Sequence, residues 1–112
     1  MSTTFRPETK KELKRLIDKL IEERGLNADL NDIDTSLITD MSYLFYESKF
    51  NGDISKWNTS GVVSMNSMFE GSDFNGDVSG WNVNKVLDKK LMFEGSPLEG
   101  NEPEWYRGKF VF

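Results

Sequence analysis

The stretch FNGDISKW at residues 50–57 recurs 24 residues later as FNGDVSGW at residues 74–81. The same register extends back to residues 26–33 and forward to residues 98–105. A fixed period of this length indicates a repeat architecture, in which each unit buries its apolar face against its neighbours. Because such architectures commonly present a binding surface, the period predicts the class of protein and leaves its partner open.

Each repeat is predicted to contain an extended piece followed by a helical one. It opens with a turn such as Asn51-Gly52, a pair that tolerates positive φ. Apolar residues then recur at i, i+3, i+6 and i+7, which is typical of a helix face. In the second repeat they are Val62, Met65, Met68 and Phe69. The sequence therefore predicts an α/β repeat fold, a leucine-rich-repeat-like right-handed solenoid of short strand–helix coils.

An amphipathic helix is predicted before the repeats. Thr9 and Glu12 form a capping box, and Gly25 stands where a left-handed residue would end the helix. Its apolar stripe consists of Leu13, Leu16, Ile17, Leu20 and Ile21. We expect this helix to cap the first repeat. The alternative, for a mildly basic helix, is a role at a membrane surface or against a partner.

Four segments follow from these patterns. Residues 1–8 are predicted to be a flexible lead and residues 9–25 the N-terminal capping helix. Residues 26–97 hold three 24-residue solenoid repeats, and residues 98–112 a truncated fourth repeat that acts as a C-terminal cap. Within that cap, Phe110 and Val111 fall at the positions of Val62 and Val63 in the second repeat.

The motif FNGDISxWNxSxVxxMxxMF at residues 50–69 resembles the repeat of the BspA-like bacterial surface-protein family. That repeat occurs in bacterial surface lipoproteins and adhesins and in proteins of parasites and large viruses. The resemblance implies a leucine-rich-repeat-like fold in which apolar positions such as Trp57 and Met65 are scaffold residues. It carries over no catalytic set.

The composition argues against an enzyme. The 112 residues include no cysteine and no histidine, which removes thiol nucleophiles, the usual catalytic triads and most transition-metal sites. The net charge is −5, and residues 26–84 alone hold two basic and nine acidic side chains. An acidic surface disfavours nucleic acid and anionic lipid. No apolar stretch is long enough for a signal sequence or a membrane span. We therefore expect a cytoplasmic protein, or a cell-surface one if an export signal was removed.

Two recurrent side-chain rows have both a structural and a functional interpretation. Trp57, Trp81 and Trp105 could stack a carbohydrate or peptide, but regular recurrence favours a packing spine. Asp29, Asp53 and Asp77 could bind calcium, which needs six to eight oxygen ligands. Aspartates in this setting more often accept hydrogen bonds from turn N–H groups. Calcium is therefore the minority interpretation, and no cofactor is expected.

Positions that break the repeat are better candidates for a specific site. Asp32 and Lys56 share a variable slot just before the tryptophan position. Tyr43 and Tyr46 are aromatics at slots held by other residue types elsewhere, and tyrosine is favoured at interfaces. Packing of both tyrosines under the N-terminal helix is an equal alternative. The full set of candidate partner-binding residues is Asp32, Lys56, Tyr43, Tyr46, Asp53 and Asp77.

These observations favour a non-catalytic protein–protein interaction module, monomeric, with a protein partner and no direct contact with nucleic acid or membrane interior. Three alternatives remain open. The first is a surface or adhesion module. The second is a small acidic inhibitor, from a phage or mobile element, of a basic nucleic-acid enzyme. The third is a hydrolase that uses two carboxylates.

Overall fold

The structure is a computed structural model that describes residues 5–107. Helix α1 spans Lys10–Arg24, as the apolar stripe predicts. The N–H of Glu12 donates to Thr9 Oγ1 at 3.1 Å, and Gly25 ends the helix with φ 98°. The Glu12 carboxylate accepts from the N–H of Glu8 at 2.8 Å, one residue before the position that the capping box predicts. Leu13, Ile17 and Leu20 are buried.

The repeats are built from turns, so the prediction of an α/β solenoid of strand–helix coils was wrong. Residues 5–107 form a compact globule with one long N-terminal helix and a large buried aromatic cluster, and this range contains isolated bridges but no β-strand. A short second helix, α2, spans Glu104–Arg107. Hydrogen bonds between residues i and i+3 define the turns; in the second repeat they join Met65 to Met68 and Phe69 to Ser72.

The predicted helical piece fails because of the backbone at one position in each repeat. Tyr43, Ser67 and Leu91 have φ of 61°, 52° and 58°, in the left-handed region. An L-residue in that region interrupts a right-handed helix. Consecutive turns also bring every third residue to the same side, so they reproduce the i, i+3, i+6 spacing that suggested a helix face.

Successive repeats are joined by backbone hydrogen bonds between residues 23 positions apart. The N–H of Met41 donates to Ser64 O at 2.9 Å, and the N–H of Met65 donates to Asp88 O at 2.8 Å. Similar bonds follow at every second residue up to Glu47 in the first repeat and Gly71 in the second. We call the bonded segments, residues 39–47, 63–71 and 87–95, the ladder.

Aromatic rings fill the core between the ladder and the remainder of each repeat. Phe45, Phe69 and Phe93 are stacked with ring centroids 5.6 and 5.7 Å apart and planes within 6° of parallel. The rings of Trp57 and Trp81 stack beside them at 6.4 Å, and both tryptophans are buried. The tryptophan row therefore packs the interior, as its regular recurrence favoured, and does not form a surface for stacking sugars.

Both ends of this stack are covered by chain outside the three repeats. Phe5, which the sequence placed in the flexible lead, forms a parallel bridge with Ile33. At the other end, Tyr106 meets the ring of Phe93 edge to face at 5.0 Å, and Trp105 Nε1 donates to Val78 O. Residues 1–4 of the predicted lead, and Phe110 and Val111 of the predicted cap, lie outside the described residues.

Candidate interaction surface

The outer side of the ladder carries large apolar side chains. Leu87 is 84% exposed, Tyr43 56% and Leu91 47%, with Tyr46 and Val63 also exposed. We call these five side chains the ladder face. Exposed apolar groups scattered singly are ordinary, whereas apolar groups gathered on one side indicate a contact surface.

Tyr43 and Tyr46 are the aromatic side chains of the ladder face. Met41, Leu44 and Phe45 are buried, whereas Tyr43, which lies between them with φ 61°, is exposed. Tyr43 and Tyr46 then meet edge to face with ring centroids 5.5 Å apart. The charges of Glu47 and Glu70 raise the pKa of Tyr46 above its ordinary value of 10. Its hydroxyl is protonated at neutral pH, as in any tyrosine, and can donate a hydrogen bond.

A groove of about 470 Å³ lies between α1 and the first repeat. Its lining is Lys10, Lys11, Lys14, Arg15 and Asp18 from the helix, with Ser42, Tyr43 and Leu44 from the ladder. This volume is within the usual range for a ligand site. The groove is basic, in contrast to the acidic repeats around it.

Two of the groove's cations are already paired. Lys10 Nζ donates to Ser42 Oγ at 2.9 Å and lies 3.3 Å from Asp40 Oδ2, and Lys14 Nζ is 2.8 Å from Asp18 Oδ1. Partial burial opposes ionisation of Asp40, but hydrogen bonds from Ser42 and Lys10 outweigh it and lower the pKa of the carboxyl. Within residues 5–107, Lys11 and Arg15 have no side-chain hydrogen bond or ion pair.

Asp32 is held by α1 and does not face a partner freely. Its two carboxylate oxygens receive Arg24 Nη1 at 3.0 Å and Nη2 at 2.9 Å. The hydrogen bond from Arg24 lowers the pKa of Asp32. Lys56, in the equivalent slot of the next repeat, is exposed, and its backbone N–H donates to Asn31 Oδ1 at 2.8 Å. The position just before the tryptophan therefore holds a carboxylate paired with α1 in the first repeat and an exposed lysine in the second.

Asp53 and Asp77 stabilise turns. Asp53 Oδ1 accepts from the N–H and hydroxyl of Ser55 at 2.9 and 2.7 Å, and Asp77 does the same with Ser79 at 2.9 and 2.6 Å. The backbone hydrogen bond from Ser55, aided by Asn31, lowers the pKa of Asp53 to about 2. In the described part of the chain, no group of three or more His, Cys, Asp or Glu side chains could hold a metal ion.

The structure therefore brings together only some of the predicted site residues. Tyr43 and Tyr46 are paired on the ladder face, whereas the aspartates and Lys56 belong to the turns that precede each tryptophan position. Leu87, Lys11 and Arg15 were not predicted. The sequence did hold a signal for Leu87, because the equivalent positions in the earlier repeats are Thr39 and Val63 and the residue becomes more apolar from repeat to repeat. The signal for Lys11 and Arg15 was their i, i+4 spacing on α1.

The architecture defines a small domain of stacked turns around an aromatic core, with its distinctive side chains on the ladder face and in the groove. The chain belongs to a family described as Mycoplasma protein of unknown function, DUF285, whose model matches residues 11–107. The match to this family replaces the proposed membership of the BspA-like, leucine-rich-repeat-like family, which was wrong. No curated protein and no solved structure matches the chain. No helix within residues 5–107 has the length and apolarity needed to cross a lipid bilayer.

Proposed function

We propose that the protein is a non-catalytic interaction module that binds a partner protein through the ladder face. The observation that carries the proposal is the exposure of Leu87, Leu91 and Tyr43 on one ladder. Leucine and tyrosine side chains that lose water on contact supply the driving force of protein association, and tyrosine is enriched among the residues that dominate binding energy.

The backbone beneath this face supports the proposal. Each ladder segment is fixed by hydrogen bonds to its neighbour, such as Tyr43 N–H to Asn66 O and Ser67 N–H to Lys90 O, both at 2.9 Å. A surface that is already ordered loses little conformational entropy on binding. Tyr43 and Leu91 also hold a left-handed backbone that favours other residue types, and such positions concentrate at functional sites.

Hydrolysis by two carboxylates has less support. The groove is lined by one carboxylate, Asp18, which is 2.8 Å from Lys14. Glycoside hydrolysis requires a second acid across the cleft. The acidic-inhibitor alternative rests on the exposed carboxylates of Asp53 and Asp77, which are ionised at neutral pH. Added salt distinguishes this alternative from binding through the ladder face, because binding through a row of carboxylates would weaken steeply with salt.

The experiment uses site-specific photo-crosslinking in the native host. A benzophenone amino acid at position 87 captures the protein that touches the ladder face, and the captured protein is purified and titrated against the intact domain by calorimetry. Leu87→Asp should weaken binding at least about tenfold, as expected for loss of a central apolar contact.

Leu26→Asp is the matched control, because Leu26 is an exposed leucine outside the ladder. It makes the same chemical change and should leave the dissociation constant unchanged. The proposal fails if crosslinks from positions 26 and 87 capture the same proteins, or if the two variants bind the captured protein equally well.

A further inference from the structure

The ladder ends in an open edge at the first repeat. In the second repeat, the carbonyls of Ser64, Asn66, Met68 and Glu70 each accept an N–H from the first repeat. The equivalent carbonyls one repeat earlier belong to Asp40, Ser42, Leu44 and Tyr46. Among the described residues, Lys10 Nζ donates to Ser42 O at 3.2 Å, and no group donates to the other three. Backbone carbonyls without donors can accept N–H groups from another chain.

The open edge adjoins the basic groove. Ser42, Tyr43 and Leu44 belong to the edge and also line the groove, opposite two turns of α1. The groove thus has open backbone carbonyls on one side and the cations of α1 on the other. A ligand that matches it carries both N–H donors and negatively charged side chains. An extended peptide with acidic residues meets both requirements, since its backbone supplies the donors and its side chains the charge.

The spacing of the free cations agrees with such an occupant. Lys11 and Arg15 are four residues apart on α1, which separates them by about 6 Å along the helix axis. In an extended segment, side chains on the same face are two residues apart, or roughly 6.7 Å. Acidic residues at alternate positions can therefore pair with both cations at once.

The distribution of charge favours a peptide over a nucleic acid. Outside α1 the protein is acidic, with a net charge of −7 over residues 26–84 from two basic and nine acidic side chains. A long polyanion would meet that field along its length, whereas a short segment would meet the groove alone.

We propose that the groove between α1 and the first repeat docks an extended acidic segment of the partner protein. Its backbone N–H groups donate to the open carbonyls at Leu44 and Tyr46, and its carboxylates pair with Lys11 and Arg15. The inference rests on one part of the proposed function, that the protein binds a partner protein, and it identifies the chemistry of that partner.

The test uses a fluorescein-labelled peptide of four Thr-Glu pairs, which favours an extended chain and places glutamates at alternate positions. Binding to the intact domain is followed by anisotropy, and the site is mapped by ¹⁵N–¹H chemical shifts. We expect the largest shifts at Lys11, Arg15 and residues 42–46. The double variant Lys11→Glu/Arg15→Glu should weaken binding at least about tenfold, because two attractive pairs become repulsive.

Lys49→Glu/Lys56→Glu is the matched control. It makes the same change in net charge at two exposed lysines away from the groove, and should leave the affinity within about twofold, since distant surface charges are screened by salt. Equal losses in both double variants would mean that the overall charge attracts the peptide, and would overturn the proposal.

Three further probes separate the alternatives. Peptides methylated on alternate backbone nitrogens, in the two possible registers, should differ in affinity if backbone N–H groups reach the open edge; equal binding by both overturns that part. Binding of an eight-nucleotide thymidylate at the groove with the peptide's affinity overturns the choice of a peptide. Sedimentation tests whether the protein dimerises through the groove. If it shows a dimer that Lys11→Glu/Arg15→Glu abolishes, a second copy of this chain occupies the groove, and the proposal of a different partner protein is overturned.

Leu87→Asp keeps the two proposals distinguishable, since Leu87 does not line the groove. If that variant loses the captured protein while Lys11→Glu/Arg15→Glu retains it, the ladder-face function stands and the acidic-segment inference fails. If the groove variant alone loses the captured protein, the inference stands and the ladder face is not the contact surface.

Discussion

The indole Nε1 of Trp57 donates to the backbone carbonyl of Leu30, 27 residues earlier, at 2.9 Å. The bond recurs from Trp81 to Ile54 and from Trp105 to Val78, at 3.1 and 2.9 Å. Each tryptophan thus joins its own repeat to the preceding one through a buried or half-buried polar contact in addition to ring packing. A hydrocarbon side chain in the same slot would provide the packing alone.

Trp57→Phe should lower the free energy of unfolding by about 1–2 kcal/mol, since a buried hydrogen bond and part of the ring contact are lost. In the variant, the carbonyl of Leu30 would still accept a hydrogen bond from the N–H of Ile33, so the loss of stability is limited. Trp105→Phe, at a half-buried position, should cost less. Urea denaturation followed by fluorescence measures both, and an equal cost for the two variants would contradict the expected dependence on burial.

Gly52→Ala should destabilise the fold by roughly 1–3 kcal/mol through overpacking. A Cβ there would collide with Ala28 O, which is held in place as the acceptor of the Asp53 N–H, and with the ring of Phe50. Gly80→Ala is the control, because no atom lies within 4 Å of a Cβ at that position. Similar melting temperatures for the two variants would show that the turn at Gly52 can relax.

Glu47→Gly should stabilise the protein. Glu47 has φ 53° at the position that Gly71 and Gly95 hold in the later repeats. Relieving the left-handed strain of an L-residue should raise the free energy of unfolding by about 1–2 kcal/mol. The greater backbone entropy of glycine in the unfolded chain should offset about 0.5–1 kcal/mol of that gain. Gly71→Ala should have the opposite sign, since its Cβ would lie 3.2 Å from Glu47 Cγ. Chemical denaturation decides, and a Glu47→Gly variant less stable than the parent would contradict the argument.

Acid should weaken the turn at Asp53. Its pKa is lowered from 3.8 to about 2, so the ionised carboxylate is favoured in the folded state. The stabilisation is present above the ordinary pKa and is lost as the pH falls from about 4 toward 2. In Asp53→Asn the amide oxygen accepts from Ser55 at any pH, so the melting temperature should fall less steeply over this range.

Asp73→Asn is the control for that titration, because Asp73 is exposed and its carboxylate makes no hydrogen bond within the described residues. Its melting temperature should follow the parent's pH profile. If Asp53→Asn also follows the parent, the turn at Asp53 does not contribute to acid stability.

The sequence predicted burial better than it predicted backbone conformation. The bounds of α1 follow from Thr9, the apolar stripe and Gly25, and the buried state of Trp57 and Met65 follows from the period. The strand–helix content was wrong because spacing by three residues is shared by helices and consecutive turns. The left-handed residues that distinguish the two are Tyr43, Ser67 and Leu91, which carry no glycine signal.

The candidate surface was predictable to a similar extent. Tyr43 and Tyr46 were singled out because they break the repeat, and they are exposed as a pair. The groove depends on how α1 lies against the first repeat, which no local pattern encodes. Lys11 and Arg15 belong to one face of a helix in the sequence, but their opposition to the open carbonyls arises from packing.

The hydrogen bonds of the ladder repeat every 24 residues, and this period has a consequence for changes in chain length. Inserting or deleting one residue within the ladder would move each following donor away from its acceptor and turn buried side chains outward. Removing residues 50–73 would instead join Lys49 to Phe74, the equivalent of Phe50, and leave every neighbour in register. Substitution can therefore alter this protein gradually, whereas we expect its length to change by whole repeats.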